Sequence, residues 1–151
     1  MAKARVYLPA TFAMLSELKE TGQLAARSGW GYSAFLEASM ASLRLLAIGD
    51  EENFPHRRVV ISVDVDESVL TPQPDMGDPV VKLNPAVITE ENLQAIHVDV
   101  EESEEATAKA IEVIDNADLG DEDAELAVGD ALDNFMAFYD PSELPFLVEL
   151  L

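Results

Sequence analysis

The sequence predicts an α+β chain: a ferredoxin-like βαββαβ core, with a four-stranded and mainly antiparallel sheet, extended by a C-terminal helical hairpin. Three observations predict it. Four short segments alternate apolar and polar residues with the period of two that marks a strand with unlike faces. Between and after them, apolar residues recur at helical spacing. The two halves also echo one another: RVYLPA (Arg5–Ala10) parallels VVKLNPA (Val80–Ala86), and ISVDVDE (Ile61–Glu67) parallels IHVDVEE (Ile96–Glu102). A different α+β strand order is the competing arrangement.

The first strand is KARVYL, Lys3–Leu8, where Val6 and Leu8 oppose Arg5 and Tyr7. Thr11 is placed to cap a helix carrying Phe12, Leu15 and Leu18, and Gly22 to stop it. GQLAARSGWGY, residues 22–32, holds three glycines and predicts a loop. Ser33 then precedes a second helix, AFLEASMASLRLLAI, striped by Leu36, Met40 and Leu43 and closed by Gly49, and DEENFPH connects onward.

RVVISVDV, Arg58–Val65, is the most β-branched segment and the second strand. TPQPDMGDP, with three prolines and a glycine, predicts no regular structure. VVKLN is a short third strand, TEEN from Thr89 a helical turn, and Ala95–Val100 the fourth strand. Two helices follow as an acidic hairpin over residues 101–140, the second striped by Ala124, Val128, Ala131, Phe135 and Phe138. The apolar tail FLVELL should dock on the rest of the chain or contribute to a homodimer.

Length and composition set bounds. At 151 residues, with 48% hydrophobic and 26% charged residues, the chain suits one domain, 1–151, with its own core. No stretch approaches the ~18 apolar residues of a membrane helix. MAKARVYLPATF lacks the apolar run of a signal peptide, so a cytoplasmic location is expected. The absence of cysteine removes disulfides, thiol catalysis and cysteine-based metal sites.

The net charge is −21, and it is uneven. Residues 1–58 carry seven basic and six acidic side chains; residues 59–151 carry two basic ones, Lys82 and Lys109, against twenty-four acidic ones. A phosphate backbone or an anionic membrane would be repelled, which disfavours direct nucleic-acid and membrane binding. A basic protein partner would be attracted.

The strand alternation puts Arg5, Tyr7, Ser62, Asp64, Lys82, His97 and Asp99 on one polar sheet face. Arg5, Tyr7, Asp64, His97 and Asp99 are the ligand-binding candidates, with His97 as a base that a carboxylate could orient. In the ferredoxin-like order the second and fourth strands occupy opposite edges, so Asp64 and Asp99 are kept apart; as neighbours they could converge. No catalytic set follows from the residues, and neither a metal nor a cofactor is expected. DNADLGDEDAEL fails as a calcium loop, because aligning Gly120 with the obligatory glycine puts Ala117, Leu119 and Leu126 where oxygen ligands belong. GWG lacks the rest of a phosphate loop, and no nucleophile elbow is present.

RVYLPAT, ASLRLLA, RRVVISVDV, AIHVD and ADLGDEDAEL together resemble a family of small acidic actinobacterial proteins, a domain of unknown function. The resemblance runs along nearly the whole chain, and ADLGDEDAE is its most distinctive part. It implies no catalytic residues. The chain departs from it in a short link between Gly31 and ASLRLLA, and in the ending DPSELPFLVELL. The expected function is a non-enzymatic interaction or regulatory module with an acidic surface; the alternative is a small-ligand binder or enzyme using the polar sheet face.

Overall fold

The computed structural model describes residues 2–26, 29–48 and 56–149. The chain runs β1 (Lys3–Ala10), α1 (Phe12–Thr21), β2 (Gln23–Ala25), β3 (Trp30–Tyr32), α2 (Phe35–Ile48) and β4 (Val59–Asp66). Then come β5 (Leu70–Pro72), β6 (Val80–Leu83), β7 (Val87–Thr89) and β8 (Leu93–Asp99). It finishes with α3 (Glu104–Asp118), α4 (Glu122–Asp133), β9 (Met136–Tyr139) and α5 (Leu144–Glu149).

The ferredoxin-like core is overturned. Seven strands form the main sheet in the order β5-β6-β3-β1-β4-β8-β9, and β2 pairs with β7 in a separate two-stranded sheet. The four expected strands are present, but β4 and β8 are neighbours rather than opposite edges. Two segments read otherwise supply the extra central and edge strands. GWGY contributes β3, which lies between β1 and β6 in the body of the sheet. MAFY contributes β9, because the last long helix stops at Asp133 and Asn134 turns to extended backbone (φ −70°, ψ 137°). TPQPDMGDP also begins with edge strand β5, which ends on Pro72, as an edge tolerates.

Glycine explains β3. A Cβ on Gly31 would come within 2.6 Å of Val6 Cγ1 and 2.9 Å of Leu83 Cδ1. The strand therefore needs a residue without a side chain to pass between those two neighbours.

Local signals hold elsewhere. The Thr11 hydroxyl accepts the Met14 N–H at 3.3 Å to start α1, and Gly22, at φ 76°, ends it with its N–H on the Leu18 carbonyl. The Asn92 side chain accepts the Thr89 N–H at 2.9 Å, closing the capping box of the TEEN turn. The tail docks through buried Leu144 and Leu147. Gly49 and most of the DEENFPH connector, residues 50–55, lie outside the described residues.

Two cores flank the sheet. On one face, Val6, Leu8, Val59, Ile61, Val63, Ile96 and Val98 join Phe12, Leu15 and Leu18 of α1, Leu24 and Ile88 of the small sheet, and Leu144 and Leu147 of α5. Fully burying each such side chain stabilises by about 1.5–3 kcal/mol. The opposite, more polar face is roofed by α2. Ser42 of α2 donates to the Ala10 carbonyl at 2.8 Å and accepts the Val59 N–H at 2.9 Å, tying the helix to β1 and β4. Behind α2, Leu43 packs with Ala110 and Ile114 of α3 and Val128 and Ala131 of α4.

Candidate functional site

The register brings four of the five candidate residues onto one part of the sheet. Arg5 of β1 lies opposite Asp64 of β4, and Tyr7 lies opposite Ser62. The Arg5 guanidinium pairs with both Asp64 oxygens, its Nη2 at 3.3 Å from Oδ2. That hydrogen bond holds the Asp64 carboxyl below the usual carboxylate range. His97 of β8 reaches diagonally to β4, where its Nε2 lies 2.9 Å from the Ser62 hydroxyl.

An aromatic row crosses the same face. Tyr7 meets Phe35 of α2 edge-to-face at 5.8 Å between ring centroids, Phe35 meets His97 at 4.9 Å, and His97 meets Phe138 of β9 at 5.8 Å. Burial lowers the His97 pKa below its ordinary value, and the charge of Arg5 adds to the effect. A neutral imidazole beside a hydroxyl has the parts of a base and nucleophile. Ser62, however, is only 2% exposed, so its hydroxyl cannot meet a substrate directly. The pair satisfies a buried hydroxyl and a half-buried imidazole, the latter against Phe35.

Asp99 is elsewhere. It does share the polar face, as the alternation predicts, but that face is covered at this end of β8. Asp99 and Arg58 are each 1% exposed. Arg58 grips the carboxylate twice, Nη2–Oδ1 at 2.7 Å and Nε–Oδ2 at 2.9 Å, and its backbone N–H donates to Oδ2 at 2.8 Å. Thr107 of α3 donates to the same carboxylate, and Arg58 Nη2 also donates to the Asn134 carbonyl at 2.9 Å. Asp64 and Asp99 belong to adjacent strands but do not converge, because antiparallel pairing places them at opposite ends: Asp64 beside Arg5, Asp99 beside Arg58. Lys82, on β6, is separated from β1 by β3.

Three features stand out. Two of them, a cleft and an edge strand, escaped the sequence, while the acidic display was expected from it. A cleft of ≈ 450 Å³ opens between β3 and α2, lined among others by Trp30, Tyr32, Met40, Arg44 and Val80. Its cation is already committed, since Arg44 clamps both Asp118 oxygens at 2.7 Å. Burial pushes the Tyr32 hydroxyl pKa up, against the opposing charge of Arg44.

The second feature is how the acids are displayed. Between Glu101 and Asp133 stand thirteen acidic residues and one lysine, Lys109, and all of these carboxylates but the half-buried Glu104 are exposed. The third is β9 at the sheet edge, with Phe135 71% and Phe138 66% exposed. Helical spacing from Ala131 to Phe135 and Phe138 hid that strand inside a helix.

Among the described residues, no group of three or more His, Asp and Glu side chains could hold a metal ion. None of the described helices is long and apolar enough to cross a membrane. No curated protein and no solved structure matches the chain. Residues 27–148 match a family of unknown function (DUF6912), and the chain belongs to that family.

Proposed function

We propose that this chain is a non-enzymatic, cytoplasmic protein-interaction or regulatory module that offers the acidic surface of α3 and α4 to a basic protein partner. The observation that carries it is the charge display just described: thirteen acids against one lysine over Glu101–Asp133. The hairpin is held from inside by Leu43, Ala110, Ile114, Val128 and Ala131, so its outer face can be single-signed while its inner face packs. A surface of one sign raises the encounter rate with an oppositely charged partner and fixes its orientation. Such a module suits the small acidic actinobacterial proteins that the sequence resembles.

The test is capture of partners from a native host at low ionic strength, followed by elution with salt. A basic partner released between about 50 and 300 mM salt supports the proposal, because exposed charges are screened over that range. The triple variant Glu122→Gln, Asp123→Asn, Glu125→Gln should weaken capture. Partners that are acidic, or an affinity indifferent to salt and to the triple variant, would refute it.

A further inference from the structure

The two edges of the main sheet are built differently. β5, at one edge, is three residues long, ends on Pro72 and runs into Pro74, which blunts it against further pairing. β9, at the other edge, is MAFY: no proline, no charge, no glycine. Among the described residues, nothing pairs with its outer side. Natural sheets seldom leave an uncharged, apolar edge of this kind unprotected.

Each face of β9 also carries something for a neighbouring strand to pack on. Its register with β8 sets Phe138 opposite His97, so Phe138 ends the aromatic row on the polar face. Tyr139, opposite Ile96, points to the other face. There, with Glu143, Phe146 and Leu147, it lines a groove of ≈ 240 Å³, and Phe146 is 66% exposed. Acids flank both ends of the strand: Asp133 before it, Asp140 and Glu143 after it, all exposed.

We infer that β9 is the docking edge for an extended segment of a basic partner, which adds an eighth strand to the sheet. The incoming segment would carry apolar side chains on both faces across its centre, one set against Phe138 and the other over the Tyr139–Phe146 groove. Lysine or arginine at its ends would face Asp133 and the Asp140–Glu143 turn. Main-chain hydrogen bonds would give affinity, and the two apolar surfaces and flanking acids would give specificity. The charge decides against a second copy as occupant. In antiparallel self-pairing, the flank holding Asp133 in each copy would meet the flank holding Asp140 and Glu143 in the other, acid against acid at both ends. This inference rests on the proposed acidic interaction function and locates the contact.

The probe is a synthetic peptide of about ten residues, with alternating valine and isoleucine at its centre, which puts apolar side chains on both faces, and two lysines at each end. Binding is read by fluorescence anisotropy and by hydrogen exchange of the β9 amides. The expected result is slowed exchange across Met136–Tyr139 and a loss of affinity of about tenfold or more in Phe138→Lys, the loss expected of a central apolar anchor. Phe138 is largely exposed, so the variant should keep its fold, which its circular dichroism checks. The triple variant on α4 separates the two ideas. Full binding to Phe138→Lys with loss in the triple variant would overturn the edge as the site while leaving the acidic function standing. Loss in Phe138→Lys supports the edge whatever the triple variant does. No binding to the native protein overturns the inference, as does a native dimer in light scattering that Phe138→Lys dissociates, since a second copy would then hold the edge.

Discussion

Asp99 and Arg58 form an ion pair whose side chains are 0% and 1% exposed, the most completely buried charged contact among the described residues. Its worth lies in completeness: the carboxylate takes two guanidinium donors, a backbone N–H and the Thr107 hydroxyl. Removing one partner strands a charge that water cannot reach. Asp99→Ala should therefore cost about 3–5 kcal/mol of folding stability, the usual cost of breaking a buried pair. Replacing both, Asp99→Leu with Arg58→Met, should recover much of that loss. Urea unfolding of the single and double variants checks this. A single variant within about 1 kcal/mol of the native protein would show that water enters the site.

Gly31 makes a second prediction. Its missing side chain leaves room that Val6, Leu8 and Leu83 fill, and an added Cβ would approach them to 2.6, 3.0 and 2.9 Å. Gly31→Ala should lower stability by about 1–3 kcal/mol through overpacking. The less restricted unfolded glycine chain would make alanine stabilising if space allowed. An unchanged or raised melting temperature would mean that β3 does not run against β1 and β6.

The pH dependence of His97 has a definite sign. Its folded pKa lies below the ordinary 6.5, because burial and Arg5 both oppose its charge. The unfolded chain then binds the proton more readily than the folded one. This contribution to stability is fully present above pH ~6.5 and is lost as pH falls from there toward the lowered folded value. Asp64 acts in the same direction at lower pH: its depressed carboxyl favours the fold above the ordinary carboxylate range and loses that effect on acidification. An NMR titration of the His97 ring should give a midpoint under 6.5, and His97→Gln should flatten the stability slope just below it. A midpoint at or above 6.5 would show the imidazole to be better solvated than its place beside Phe35 and Ser62 implies.

Salt should stabilise the free protein. With a net charge of −21, and thirteen acids against one lysine from Glu101 to Asp133, repulsion along α3 and α4 opposes the fold. Raising sodium chloride from about 20 to 300 mM should raise the melting temperature by a few degrees, as the screening length falls toward the spacing of neighbouring carboxylates. A flat or falling response would place the balance with ion pairs such as Arg44–Asp118 and Arg57–Glu104, which salt weakens.

Much of the local structure was legible in the sequence, and most of the long-range structure was not. Val59, Ile61 and Val63 alternate with Val60, Ser62 and Asp64, and the strand they predict forms with those two faces. Thr11 and Gly22 start and stop α1 as their residue types suggest, and TEEN forms the expected turn. What failed depends on distant neighbours. Gly31 marks a loop until Val6 and Leu83 close around it. Phe135 and Phe138 sit at helical spacing from Ala131, and only pairing with Ile96–Asp99 makes their segment extended. Asp99 was correctly assigned to its sheet face, but its cover, α3, and its counter-ion, Arg58, come from elsewhere in the chain. The echo between ISVDVDE and IHVDVEE belongs to two strands that lie side by side and run in opposite directions, so the repeated aspartates serve unrelated salt links.

Arg58 has one further contact, with the Asn134 carbonyl at 2.9 Å, just where α4 hands over to β9. Through this arginine and its carboxylate, β4, β8, α3 and the last joint of the chain share a single buried knot. The helical roof therefore cannot peel from the sheet without uncovering two opposite charges together. The molecule should melt in one step, with the joint that leads into the edge strand held to the buried pair at Asn134 until the whole gives way.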